Sequence, residues 1–182
     1  ENGWEDGRRK TRVKFLNKLD QARPDDVLIS PVCGPWSTIQ ELSALTEAGR
    51  EDLVRKRNWH HENFLKFTRK IYDKQRREGR RAHIEHPWSA RSWRTKAFSG
   101  LCGYPTLVHQ CQYGLTSIDT SGNTGPVKKA TCLMTTKYSL HLGLRAKCPG
   151  DHVHVPLDGT LPGGVSRTPA AEHYSCLLAR RL

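Results

Sequence analysis

The sequence predicts an α/β domain with a parallel sheet, flanking helices and an irregular C-terminal part. Two short apolar runs, at residues 27–29 and 82–86, have the length and composition of strands. A long helical pattern over 50–78 separates them. A strand, a helix and a second strand of this length describe a right-handed crossover unit, in which the two strands lie side by side and parallel.

Three helices are predicted in the first half of the chain. Apolar residues at helical spacing over 8–22 predict a helix that leads into the first strand. A three-residue apolar period predicts a short helix over 37–48, and the long helix over 50–78 ends at Gly79. The apolar run at 27–29 is continuous and not alternating, so we expect this strand to be buried on both faces.

The remaining elements are shorter. Residues 88–100 predict a loop with a short helix, and 106–112 and 130–136 predict two further strands. The Gly, Ser, Thr and Asn residues over 116–125 predict a mobile loop between those strands. A terminal helix is predicted over 168–182, and the whole of residues 1–182 is expected to form a single domain.

The charge of the chain favours nucleic acid as the partner. The 182 residues include 30 Lys and Arg against 18 Asp and Glu, a formal net charge of +12. A surface that faces phosphates is one interpretation of the basic stretch over 55–81, and a solvated helix face is the other. The stretch contains Arg55, Lys56, Arg57, Lys66, Arg69, Lys70, Lys74, Arg76, Arg77, Arg80 and Arg81.

The cysteine pattern favours a reducing compartment. Six cysteines lie without the short repeated spacings of a disulfide scaffold, and there is no secretory signal or long apolar stretch. We therefore expect a soluble intracellular protein with no membrane partner, and a nuclear location if the source is eukaryotic. Because the chain begins at Glu1 and not at Met, we expect an N-terminally truncated fragment of a longer precursor.

The strongest functional indication is a cysteine and a glutamate that follow neighbouring strands. Cys33 lies in a loop just past the first strand, where Pro31, Gly34 and Pro35 restrict the backbone. Chemistry in open α/β sheets collects at the carboxyl ends of strands, and Glu85 ends the next strand. The alternatives are a buried structural cysteine and a carboxylate paired with an arginine. A nucleophile and a carboxylic acid in one cleft form a recognisable catalytic pair.

Residues 31–37, Pro-Val-Cys-Gly-Pro-Trp-Ser, and 85–87, Glu-His-Pro, resemble the signature of the cytosine-C5 DNA methyltransferases. That family has a Pro-Cys loop followed by a strand that ends in Glu-Asn-Val. Residues 109–114 and 128–131 are similar to compact members carried by phages and by reverse-transcribing mobile elements, and the resemblance covers most of 20–182. The chain departs from the family at Val32, Gly34, His86 and Gln112.

The resemblance implies a partial Rossmann-like, class I methyltransferase sheet and a methyltransferase-like catalytic domain acting on DNA. In the implied reaction Cys33 attacks C6 of a flipped cytosine, Glu85 acts at N3, and S-adenosylmethionine supplies the methyl group. It further implies cofactor contacts at Ser30 and Pro31. The implied substrate contacts are Ser37, Arg81, Gln110, Gln112, Lys128 and Lys129. No Gly-rich strand or acidic ribose-binding residue precedes Cys33, so the S-adenosylmethionine pocket is expected to be incomplete.

Other functions are open from the sequence. A catalytically degenerate domain that binds nucleic acid, from a mobile-element polyprotein, is the main alternative. A cysteine hydrolase would pair Cys33 with His83 or His86, but no oxyanion or substrate motif accompanies them.

A zinc site is a weaker candidate. Cys148, His152 and His154 lie close in sequence, but no second cysteine pair follows at finger spacing. The sequence therefore predicts no metal site.

Overall fold

The computed structural model describes residues 3–157 and 173–182 and contains a four-stranded sheet with helices on both faces. The α-helices are α1 (Gly3–Ala22), α2 (Thr38–Ser43), α3 (Glu47–His60), α4 (Lys66–Arg77), α5 (Tyr138–Leu144) and α6 (Cys176–Ala179). The strands are β1 (Asp26–Ile29), β2 (Arg81–Pro87), β3 (Tyr104–His109), β4 (Thr116–Ile118), β5 (Thr124–Pro126) and β6 (Ala130–Thr135).

The main sheet has mixed strand directions, in the order β1-β2-β6-β3. β1 and β2 are parallel, with Asp26 level with Arg81 and Ile29 level with Ile84. β6 is antiparallel to both β2 and β3. The predicted α/β class and the parallel β1–β2 unit are confirmed, but the prediction of a wholly parallel sheet is wrong. No α-helix connects β3 to β6, and a chain that returns without such a crossover pairs antiparallel.

The side chains of β2 alternate between two apolar clusters. Ala82 and Ile84 face the helical side, where the buried cluster also contains Trp36, Leu65, Tyr72, Ala90, Ala97 and Phe98. The opposite face carries a second cluster of Val108, Leu133, Leu144 and Leu178, against which Tyr174 and Tyr113 pack. Glu85 is level with Leu133 on β6 and belongs to this second face.

β1 is less buried than its sequence predicts. Its residues alternate between exposed and half-buried, and 41% of Leu28 is exposed. In the described residues β1 is the edge of the sheet, and α1 packs against α4 through Phe15 and Phe67 and leaves β1 partly uncovered. The expectation of a strand buried on both faces is therefore wrong.

The predicted long helix is present in three parts. α3 and α4 are joined without a break by a π-helical turn, His61–Leu65, in which Leu65 is completely buried. In the part of the chain that the structure describes, no helix combines the length and the apolar character needed to cross a membrane.

The segment predicted as a loop over 116–125 contains a hairpin. β4 and β5 pair antiparallel, and the Asp119 carboxylate accepts hydrogen bonds from the backbone N–H groups of Ser121 and Asn123, both at 2.8 Å. A side chain that bonds backbone two residues ahead is a turn-forming device. The local turn chemistry thus brings the two short strands together.

The predicted terminal helix is shorter in the described residues. α6 covers Cys176–Ala179, and the hydroxyl of Ser175 accepts a hydrogen bond from the Leu178 N–H at 3.2 Å. The predicted start at Thr168 and Pro169 lies outside the described residues.

We expect Gly103→Ala to destabilise the fold by about 1–3 kcal/mol, the usual cost of overpacking. A Cβ atom at Gly103 would lie 2.6 Å from the Tyr72 hydroxyl and 2.7 Å from the Thr135 carbonyl oxygen. Gly143→Ala is the matched control, because nothing lies within 4 Å of its added Cβ atom. Urea unfolding measures both, and equal stability of Gly103→Ala and the unmodified chain would contradict this packing.

Candidate functional site

The Cys33 loop is exposed but firmly held. Cys33 directly precedes a 3-10 turn, Gly34–Trp36, and its side chain is exposed, which excludes the alternative of a buried structural cysteine. Trp36 is only 5% exposed and belongs to the helix-side cluster. The Arg57 Nε donates a hydrogen bond of 2.8 Å to the Pro35 carbonyl. The loop is therefore fixed on the side that faces α3.

A set of ion pairs holds Arg57 in place. Its guanidinium lies 3.0 Å from Glu41 on α2 and 5.9 Å from the Trp36 ring centroid. Arg91 also pairs with Glu41. Ser37, predicted to contact substrate, caps α2, because its hydroxyl accepts a hydrogen bond from the Ile39 N–H at 3.3 Å.

Glu85 lies beside the first residue after β1. The Ser30 hydroxyl is 2.7 Å from the Tyr174 hydroxyl, and both hydroxyls lie beside the Glu85 carboxyl. One carboxyl oxygen, Oε1, is buried without a hydrogen-bond partner among the described residues. Ser30, predicted to contact the cofactor, is therefore a neighbour of the acid. Tyr174 lies in the terminal segment, and the sequence alone did not identify it as a site residue.

Burial raises the pKa of Glu85 above that of an ordinary glutamate. The positive charge of Lys129 acts in the opposite direction, as do the hydroxyls of Tyr174 and Ser30, but burial is the largest effect. Burial and the Glu85 charge also raise the pKa of Tyr174, so this phenol remains a hydrogen-bond donor. The site thus contains a carboxyl group that keeps its proton to higher pH than an exposed glutamate does.

His86 lies on the other face of β2 from Glu85. It is completely buried, with its ring 5.7 Å from that of Trp93 and 6.1 Å from that of Phe98. Burial lowers the pKa of His86 to about 4, against a smaller opposite effect of the Pro31 backbone. The ring is therefore neutral near pH 7, and Pro31, predicted to contact the cofactor, lies next to this histidine.

His83 and Arg81 lie towards the other end of the β1–β2 pair. The ring of His83 is 3.0 Å from Asp26 and 2.7 Å from the Thr135 hydroxyl, and Arg81 donates two hydrogen bonds to Asp26. Asp26 begins β1, whereas Cys33 follows its end. The structure therefore does not bring Arg81 to Glu85, and it separates His83 from the cysteine loop, against the hydrolase interpretation.

The other predicted substrate contacts divide into two groups. The positive charge of Lys129 acts on Glu85. Gln110 lies next to Lys129, because the Gln110 N–H donates a hydrogen bond of 3.0 Å to the Lys129 carbonyl. The Gln110 side chain is buried and donates to the Thr131 hydroxyl. Gln112 and Lys128 are exposed, and the Gln112 amide lies beside the Cys111 sulfur. Only Lys129 among these has a described interaction with Glu85.

Most side chains of the basic stretch pair with carboxylates, several of which are shared between two basic residues. Of its eleven basic residues, nine form ion pairs, several of them three or four residues apart on one helix. The nine are Arg55, Lys56, Arg57, Lys66, Arg69, Lys74, Arg76, Arg80 and Arg81. Such pairs are typical of a solvated helix face. The expectation of a continuous surface that faces phosphates is not supported.

A second group of reactive side chains lies around the turn after β3. Cys111, Cys148, His152 and His154 place one possible ligand atom each within 4.8 Å of all the others. Cys148, His152 and His154 lie close together in the sequence, but Cys111 is far from them along the chain. Spacing within one segment could not have identified it.

Comparisons of the chain with protein-family models, with curated proteins and with solved structures find no match. The function of the chain is therefore inferred from the geometry and chemistry of its side chains.

We expect Glu85→Gln to stabilise the protein relative to the unmodified chain, increasingly so as pH rises from about 4 to about 8. Because the folded state raises the pKa of Glu85, the stability linked to its protonation is present below the ordinary glutamate pKa and is lost as pH rises through the folded value. Glutamine does not titrate, so the Glu85→Gln variant keeps its stability as pH rises. Urea unfolding at both pH values measures the difference.

Glu51→Gln is the matched control, since Glu51 is exposed on α3. As a substitution on an exposed helix surface, it should change the free energy of unfolding by no more than about 0.5 kcal/mol. A Glu85→Gln stability difference that shrinks with rising pH would show that folding does not raise the pKa of Glu85.

Proposed function

We propose that this chain contains the cytosine-binding half of a DNA cytosine-C5 methyltransferase-like domain, in which Cys33 bonds to the base and Glu85 acts at N3. One observation carries the proposal. Glu85, a half-buried carboxyl with a raised pKa, lies in β2, and Cys33, an exposed cysteine in an anchored loop, follows the neighbouring parallel strand β1.

The chemistry requires these two groups. Cytosine C5 is a poor nucleophile until a thiolate adds to C6 and shifts the electron pair of the C5=C6 bond towards C4 and N3. The sulfur–C6 bond forms, that double bond is lost, and N3 takes a proton as negative charge develops. A neutral Glu85 can donate this proton, and the adjacent Tyr174 and Ser30 hydroxyls can then stabilise the carboxylate. Return of the N3 proton to Glu85 and elimination of the thiolate then restore the C5=C6 bond.

The chain geometry limits how far apart the two groups can be. Ile29 is level with Ile84, so Ser30, the next residue, contacts Glu85. Cys33 follows Ser30 by three residues, a reach of at most about 11 Å even for a fully extended chain. A pyrimidine that is flipped out of the duplex would lie between the thiol and the acid.

The described residues fit the base better than they fit S-adenosylmethionine. The segment before β1 forms α1, which packs against α4 and adds no strand to the sheet. Ser30 and Pro31, the predicted cofactor contacts, lie against Tyr174 and His86. We therefore assign no methyl-transfer step to this part of the chain.

A domain that binds nucleic acid without catalysis is the second candidate. It is favoured by Val32, which separates Pro31 from Cys33, and by the helix α1, which lies before β1 where the family has its Gly-rich first strand. The two candidates differ in whether a covalent bond to cytosine forms.

We expect the chain to form a covalent adduct with duplex DNA that contains 5-azacytosine. The ring nitrogen at position 5 makes C6 more electrophilic and accepts a proton, so thiolate addition requires no methyl donor. Denaturing gel electrophoresis and mass spectrometry detect the adduct. Cys33→Ala should abolish it, and Glu85→Gln should slow its formation by about 100-fold, the lower end of the effect of a general acid.

Cys176→Ala is the matched control, because Cys176 is also exposed but lies on α6. Its adduct should form at the rate of the unmodified chain. DNA binding without any adduct would favour the non-catalytic candidate, and an adduct that survives Cys33→Ala would contradict the assigned nucleophile.

A further inference from the structure

Four side chains with metal-ligand chemistry meet beside the turn that follows β3. Cys111 lies in this turn, Gln110–Tyr113, and Cys148, His152 and His154 lie in the irregular segment after α5. Their four ligand atoms are all within 4.8 Å of one another. Two thiols and two imidazoles that converge from separate segments are the donor set of a structural Zn²⁺ site.

The two sulfur-to-nitrogen distances at Cys148 agree with a tetrahedron around one ion. Zn–S bonds of about 2.3 Å and Zn–N bonds of about 2.0–2.1 Å imply sulfur-to-nitrogen separations of about 3.6 Å at the tetrahedral angle. The Cys148 Sγ lies 3.6 Å from the His152 Nε2 and 3.4 Å from the His154 Nε2. The two imidazole rings are steeply inclined, at 71°, so they do not stack.

Hydrogen bonds through sulfur are weak, so they stabilise this arrangement less than a metal ion would. The Cys148 sulfur has one hydrogen to donate and accepts only weakly, yet it faces two imidazole nitrogens, and the Cys111 sulfur lies near it as well. Cys148 is only 7% exposed, so water does not readily take the place of a partner. A cation at the centre would satisfy all four groups at once.

The groups around the cluster orient its ligands. The Asp151 carboxylate lies 2.8 Å from the His152 Nδ1, which leaves Nε2 directed at Cys148. A carboxylate that binds the far nitrogen of a ligating histidine is a common outer-shell partner in zinc sites. The Cys148 N–H donates to the His109 Nδ1 at 3.0 Å and fixes the backbone of that ligand.

We propose that Cys111, Cys148, His152 and His154 bind one Zn²⁺ ion in a closed, structural site. Four protein ligands leave no open position for substrate, and mixed thiolate and imidazole donors suit zinc better than magnesium or calcium. This proposal does not depend on the cytosine chemistry of Cys33 and Glu85.

The ion would fix the irregular C-terminal part of the chain to the sheet. Between α5 and residue 157 the described chain has only one isolated bridge, Val108 with Ala146. Beyond the cluster, the Val155 N–H donates to the Pro126 carbonyl at 2.8 Å, and Val155 packs against Leu115 and Val127. Few backbone hydrogen bonds hold this segment, so a metal tether would contribute much of its order.

We expect the full chain, purified under reducing conditions, to contain about one zinc per molecule by inductively coupled plasma mass spectrometry. Co²⁺ in place of zinc should give the intense visible absorption of tetrahedral cobalt with sulfur-to-metal charge transfer. Cys148→Ser should lower the metal content at least tenfold. Cys102→Ser is the matched control, because Cys102 is an exposed cysteine outside the cluster and should leave the content unchanged.

Alkylation of the unmodified chain tests the site without a variant that could misfold. Zn²⁺ should protect Cys111, which is half-buried, from iodoacetamide, while the exposed Cys33, Cys102 and Cys176 react at the same rate with and without the ion. Equal alkylation of Cys111 in both conditions, or a disulfide between Cys111 and Cys148 that persists under reducing conditions, would overturn the proposal.

We expect Asp151→Asn to weaken zinc binding about 10- to 100-fold, the usual effect of losing an outer-shell carboxylate. The change leaves all four ligands in place. Competition with a zinc chelator of known affinity measures it. Asp119→Asn, in the β4–β5 turn, is the control, and equal zinc affinity for the two variants would show that Asp151 does not orient His152.

Discussion

The burial of one carboxyl group in the sheet is the constraint on which the candidate site depends. β2 runs between β1 and β6, and its side chains must alternate between two apolar clusters. Since Ile84 fills the helix-side cluster, Glu85 must face the other side, level with Leu133. A charged carboxylate on this face would lose hydration, so burial favours the neutral form of Glu85. Polar groups next to the carboxyl offset part of the cost of burying it. These groups come from three separate segments, through Ser30, Lys129 and Tyr174.

The cysteine loop is held from the opposite face of the sheet. β1 is a short edge strand in the described residues and cannot by itself fix the loop that follows it. Trp36 anchors the loop in the helix-side cluster, and Arg57 binds the Pro35 carbonyl while it pairs with Glu41. The thiol and the acid therefore depend on different clusters, and the parallel pairing of β1 with β2 sets their relative position. This separation leaves the Cys33 side chain exposed although its loop is rigid.

The sequence predicts the local part of this arrangement and misses the part that depends on distant contacts. Periodicity located the β1–β2 unit and so the positions of Cys33 and Glu85. It could not give the direction of β6, because a strand's side-chain pattern is the same in parallel and antiparallel pairing. Nor could it find Tyr174 or Cys111, whose partners lie far away along the chain. The solvated helix face was one of two interpretations of the basic stretch, and the pairs Arg69 with Asp73 and Lys74 with Glu78, four residues apart, agree with it.

The two groups of reactive side chains are connected through one short turn. Cys111 of the proposed zinc site lies in the turn Gln110–Tyr113, whose first N–H donates to the carbonyl of Lys129, the cation that acts on Glu85. The carbonyl at the other end of this turn, on Tyr113, accepts a hydrogen bond from the hydroxyl of Ser175, the residue after Tyr174. A metal ion that fixes the turn would therefore also fix the backbone on both sides of the acid. The pKa of Glu85 depends on how closely Lys129 and Tyr174 approach it. A metal ion that orders the C-terminal part of the chain would therefore change the pKa of Glu85 without contacting its carboxyl.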